Sequence, residues 1–188
     1  MTPDTPKKGG KGQPFDPSGD GIATLLDAPE TDEGVIAEAA FYGADGCDAL
    51  LELVGPSSNL DPERRARGVH LLGRLRCEDL FKLAPDLMQE GVLSVQISLF
   101  YALVQIDREQ GEKLLLPVIK NDKADTLLRE HAFYAVLAGA NRNFRETLAE
   151  TVGGSDDRRL ARELTRWLAV DVPLGDLAAD RDDPDRLD

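Results

Sequence analysis

Residues 79–106, DLFKLAPDLMQEGVLSVQISLFYALVQI, and residues 111–137, GEKLLLPVIKNDKADTLLREHAFYAVL, superpose on one another. Leu83, Ala84 and Pro85 lie over Leu115, Leu116 and Pro117 at a spacing of 32. Phe100, Tyr101, Ala102, Leu103 and Val104 lie over Phe133, Tyr134, Ala135, Val136 and Leu137 at a spacing of 33. Self-similarity at a fixed period of this size is the mark of a repeat architecture, in which one supersecondary unit is copied along the chain. Neither stretch shows the period-two alternation of a half-buried strand over any length, so the unit is read as helical.

Working outward, similar segments begin near positions 20, 47, 79, 111 and 143, with spacings of 27, 32, 32 and 32. Each opens with a short apolar helix, expected over 22–27, 48–54, 79–88, 112–120 and 144–152. Turn signals follow: Pro29 and Thr31, Gly55 and Pro56, Gly91, Asn121 and Asp122, then Gly153, Gly154 and Ser155. Such residues end one helix or cap the next. A longer helix closes each unit, over 33–43, 61–75, 93–106, 125–139 and 156–169. Asp61 before Pro62 makes a good start, because the aspartate accepts from open amides and proline suits the first turn. The prolines of the short helices are expected in a first turn or at a bend, where a missing N–H costs least.

The Leu-x-Pro short helix resembles that of the HEAT repeat family, more closely its bacterial HEAT-like, phycobilisome-lyase-type branch. So does the long helix, with its basic residue ahead of small and apolar ones, in Arg65, Gly68, Leu72, Gly73 and Leu75 and in Arg129, Ala132 and Val136. The likeness covers about residues 20–170; Gln96 stands where the third unit should carry a basic residue, and the last long helix fits only with a slip. The charged Arg158, Arg159, Arg162, Glu163 and Arg166 of that helix suit a terminal cap. The resemblance implies an all-α fold, a right-handed α-solenoid of about five helix pairs. It also implies a concave surface lined by the second helix of each pair.

All three tyrosines fall in one repeat slot, Tyr42, Tyr101 and Tyr134, with His70 taking it in the second unit. Ser98, Tyr101 and Gln105 share a face at i, i+3 and i+7, opposite Val95, Leu99 and Ile106. Arg67, His70 and Arg74 repeat that pattern one unit earlier, and His131 with Tyr134 one unit later. On the family's geometry these nine residues line the concave groove, where aromatics with polar tips serve as anchors for a partner protein. The same tyrosines also suit packing between repeats with the hydroxyl at the edge.

Charge and cysteine use bound the remaining classes. The net charge of -13 is concentrated at the ends: residues 1–34 carry seven acids against three lysines, and residues 171–188 seven aspartates against two arginines. Both ends have the Pro, Gly and Asp-rich composition of flexible tails around a 20–170 domain. An acidic chain argues against nucleic acid as partner, which demands clustered Lys and Arg. No run reaches the roughly 18–20 apolar residues of a membrane span, which gives the expectation of a cytoplasmic protein with Cys47 and Cys77 as free thiols.

Asp16, Ser18, Asp20, Gly21 and Asp27 copy positions 1, 3, 5, 6 and 12 of a calcium-binding EF-hand loop. Pro17 inside it and Asp27 in place of the usual glutamate favour a helix cap after a tail. His70 and His131 are the only histidines, and no phosphate loop, nucleophile elbow or metal-ligand spacing accompanies them. Trp167 beside Arg162 and Arg166 is read as a packing residue of the capping helix. The chain is therefore expected to be a non-catalytic interaction module that needs no cofactor. The alternatives are a HEAT-like chromophore lyase or base-processing enzyme, and a structural subunit of a larger complex.

Overall fold

A computed structural model of the chain describes residues 20–28, 31–138, 140 and 142–168. Both expected tails lie outside the described residues. Within them the chain is all-α, with ten helices: α1 Asp20–Leu25, α2 Glu33–Phe41, α3 Gly43–Val54, α4 Pro62–Arg74, α5 Leu80–Glu90, α6 Leu93–Ile106, α7 Arg108–Lys120, α8 Thr126–Leu137, α9 Arg142–Gly153 and α10 Arg158–Leu168. No described helix is long and apolar enough to cross a membrane.

Aspartates start the helices. Asp61 accepts from the amides of Glu63 and Arg64 at 3.1 and 3.0 Å with Pro62 in the first turn, and Asp125 accepts from Leu127 and Leu128. Asp107 caps α7 through the amide of Gln110, so that helix begins four residues before the expected position 112. Gly91 ends α5 in the left-handed region, φ 77°, which only glycine adopts without cost. Pro85 and Pro117 sit inside α5 and α7, beyond the first turn. Both are exposed, so the N–H each lacks withdraws a bond only from the water-facing side of its helix.

Second helices of successive units touch, α2 and α4, α4 and α6, α6 and α8, and α8 and α10. The first helices flank them, α3 on α4, α5 on α6, α7 on α8 and α9 on α10. Gly73 lets α4 approach α6, since a Cβ there would come within 2.7 Å of Ala102. Two apolar clusters fill the interior, one from α1 to α6 and one from α6 to α10. Helix α6 serves both, giving Val95, Leu99, Ala102 and Leu103 to the first and Phe100 to the second.

The repeated basic residue holds two of the pairs closed. Arg65, 4% exposed, donates through Nε and Nη2 to the carbonyl of Val54 at the end of α3, at 3.2 and 3.0 Å. Arg129, 3% exposed, donates through Nε to the carbonyl of Ile119 near the end of α7, at 3.1 Å. Gln96 does the same between them, its Nε2 donating to the carbonyl of Met88 at 2.6 Å. Each side chain thus satisfies a carbonyl that its helix leaves open.

The expectation of free thiols is overturned: Cys47 and Cys77 form a disulfide, with Cα atoms 5.9 Å apart. Their separation of 30 is close to one repeat: Cys47 lies near the start of the second unit, in α3, and Cys77 after α4 at its end, so the pairing of α3 with α4 brings them together. Cys77 follows a helix stop in which Arg76 is left-handed, φ 55°. There the Arg76 amide donates to the Gly73 carbonyl and the Cys77 amide to that of Leu72. A side chain pays about 1–2 kcal/mol for that conformation and glycine does not. Arg76→Gly is therefore expected to stabilise the protein by about 0.5–1 kcal/mol, read as a higher urea midpoint; part of the gain is lost to the freer unfolded chain.

Candidate partner-binding face

The nine residues read as a groove separate into three settings. Arg67 and His70, one turn apart on α4, meet Ser98 of α6 around an open depression of about 310 Å3, with Thr31 and Ala66 completing its lining. Arg67 is fixed there from within, because Nη1 donates to the carbonyls of Leu26 and Ala28, both at 2.6 Å, and so closes the turn that ends α1. His70 is half-buried. Burial, and then the positive charge of Arg74, push its pKa below the usual imidazole value, which favours the neutral ring near pH 7. Arg74, one turn beyond His70 on α4, is paired with Glu33 at 2.7 Å. The depression thus offers a neutral imidazole, a hydroxyl and a guanidinium already held in place, a set suited to recognising polar groups.

A second setting is a series of rings that runs across three helices. Tyr101 of α6 meets His131 of α8 edge to face at 6.0 Å, its hydroxyl 3.3 Å from Nδ1. His131 meets Tyr134 at 6.4 Å, and Tyr134 meets Phe133 and Trp167 at 5.9 Å, all edge to face. This geometry suits the ring quadrupoles and adds to what burial alone supplies. Tyr134 is only 7% exposed, so of the two central tyrosines only Tyr101, half-buried, presents a usable edge. Trp167 extends the series into α10. It follows Tyr134 by 33 residues, as Tyr134 follows Tyr101, and that spacing was the available signal that it shares their slot. Gln105 ends the Tyr101 face against Gly73, with its Oε1 buried and accepting no hydrogen bond among the described residues.

Tyr42 occupies a third setting, apart from the other two. It links α2 to α3; its hydroxyl end covers Gly21 and its Cβ lies against Gly46, where an added Cβ would come within 2.7 and 2.6 Å respectively. The calcium-like stretch does not assemble within the described residues. Asp20 to Leu25 is helix α1, Asp27 pairs with Arg64 at 2.9 Å, and Asp16 and Ser18 lie outside the described residues. No group of three or more His, Cys, Asp or Glu placed to hold a metal ion occurs among the described residues. No family model matches the chain, and neither a curated protein nor a solved structure is found similar to it.

Proposed function

We propose that the chain is a short HEAT-like α-solenoid that binds a segment of a partner protein, without catalysis, on the face of its second helices. The observation that carries this reading is the depression between α4 and α6, where Arg67, His70 and Ser98 converge with Tyr101 one turn beyond Ser98. Polar groups held by their own helices, next to a half-buried aromatic edge, are the ingredients of an interface anchor. The α2–α4–α6–α8–α10 line supports a face long enough for a helix or an extended peptide. The Cys47–Cys77 disulfide argues for an oxidising compartment over the cytoplasm, where such bonds are rare.

Ser98→Arg fills the depression without touching the core, and Tyr101→Ala removes the adjacent edge. The two together are expected to weaken partner binding by tenfold or more, about 1.4 kcal/mol, with helix content unchanged by circular dichroism. The comparison is made by capture from extracts of the cells that make the protein, followed by titration of whatever the wild type retains. A partner held equally by both forms would remove this face from consideration.

A further inference from the structure

Helix α10 carries an unusual charge. Its four arginines less Glu163 give it +3, in a chain whose total is -13. Leu160 and Leu164 are buried, while Arg158, Arg159, Arg162 and Arg166 are exposed. None of these four makes a salt bridge with a carboxylate among the described residues, where seven other ion pairs form. Arg158, Arg162 and Arg166 follow one another at i, i+4 and i+8, which sets like charges side by side. Arg158 and Arg159 also sit in the first turn, the end of a helix that disfavours cations. Between these arginines, Ala161, Thr165 and Gly153 line an open depression of about 380 Å3. A cationic trough with small and apolar residues between its charges calls for an anionic segment that also carries apolar side chains.

The chain holds such a segment. Residues 171–188 contain seven aspartates and two arginines, net -5, interspersed with Val172, Leu174, Leu177 and Leu187. They lie outside the described residues and begin three positions after Leu168, where α10 ends. Pro173 and Gly175 provide a place to reverse direction. Eighteen residues can reach about 60 Å at roughly 3.3 Å each, against about 16 Å for the length of α10, so the span is no obstacle. Tethered this closely, the segment meets the trough at an effective concentration of the order of millimolar, so weak contacts suffice to fill it.

We propose that the acidic segment 171–188 folds back on α10 and occupies the trough formed by Arg158, Arg162 and Arg166. The inference does not depend on the α4–α6 face or its ligand.

Amide hydrogen exchange of the full-length chain tests it. In about 20 mM salt, amides in 171–188 are expected to exchange at least about tenfold more slowly than in the free peptide, and to lose that protection in about 0.5 M salt. The Arg158→Glu, Arg162→Glu, Arg166→Glu variant is expected to lose it at low salt. Adding Asp180→Lys, Asp182→Lys, Asp183→Lys and Asp185→Lys is expected to restore it. The salt series needs no variant, so a fold damaged by the arginine changes does not hide the answer. Free-peptide exchange rates in the wild type at low salt overturn the proposal. So does protection that persists in the arginine variant with its circular dichroism intact, or protection that grows with protein concentration, which would mark a second copy as the occupant.

Discussion

Arg65→Met is expected to cost about 3 kcal/mol of folding stability, measured by urea unfolding at neutral pH. The guanidinium is buried, and it spans two partners that cannot find each other without it: the open carbonyl of Val54 and the carboxylate of Glu90, whose oxygens lie 2.5 and 2.6 Å from Nη1 and Nη2. Removing one member of a buried ion pair typically costs about 3–5 kcal/mol, because the other is left uncompensated. Glu90 keeps 26% of its side chain exposed and so recovers part of its hydration, which places the expected loss at the lower end. The neighbouring unit supplies the control. Gln96 fills the same slot with a neutral donor, so the slot needs an N–H more than a charge. Arg65→Gln should therefore cost clearly less than Arg65→Met. Arg65→Lys should do poorly despite keeping the charge, since one ammonium cannot serve carbonyl and carboxylate with a fork's geometry. Equal losses for Met and Gln would show that the aliphatic stem, not the cap, holds α3 to α4.

The same contacts set the acid limb of stability. Hydrogen bonds from Arg65 hold the Glu90 carboxyl below its ordinary pKa, against partial desolvation and with help from the arginine's charge. The Ser155 hydroxyl and then the Asp156 amide do so for Asp122. A group whose pKa is lower in the folded state binds more protons when unfolded. Its stabilisation is complete above its ordinary value and is lost as pH falls through the folded one. His70 is likewise lowered, by burial, so protonating it below about pH 6.5 also favours the unfolded chain. The urea midpoint should be level above about pH 7, decline gently below it and fall more steeply below about pH 5, and the steep limb should be shallower in Arg65→Met.

The repeat spacing made the helices legible, because burial recurs with it. Leu93–Ile106 begins and ends where the pattern of apolar residues does, and Asp61 caps α4 as expected; Asn121 ends α7, whereas α8 is capped by Asp125, three residues beyond the expected turn residues. What the spacing conceals is each copy's place in the row. Tyr101 and Tyr134 are equivalent in sequence. Yet α10 lays Trp167 over Tyr134, which is buried, while Tyr101 keeps an open edge. Tyr42 belongs to the same slot, but α2 ends there and its ring turns onto Gly21. The face around Arg67, His70 and Ser98 could be listed from helical periodicity alone. That Arg67 is spent on the carbonyls of Leu26 and Ala28 could not, since it depends on how α1 stops.

The disulfide is the clearest case of a contact hidden by reading cysteines for motifs, and it carries the second large expectation. Cys47 and Cys77 close a loop of about 30 residues. Cross-linking a loop of that size removes unfolded-state entropy worth about 3–4 kcal/mol. Cys77→Ser, or reduction of the wild type, should lower stability by about that amount. Cys77→Ser should cost somewhat more than reduction, because Cys77 is buried in the apolar cluster and a serine hydroxyl there is desolvated. The bond lies in the first cluster, around α3 and α4, whereas Trp167 reports on α10 in the second. Independent halves would leave Trp167 fluorescence unfolding at an unchanged urea concentration while circular dichroism shifts. Because α6 places Val95, Leu99, Ala102 and Leu103 in one cluster and Phe100 in the other, loss of the first strips α6 of most of its buried contacts. The two signals should therefore move together. Coincident shifts identify α6 as the helix that couples the row, and separated transitions would mean that each cluster folds on its own side of it.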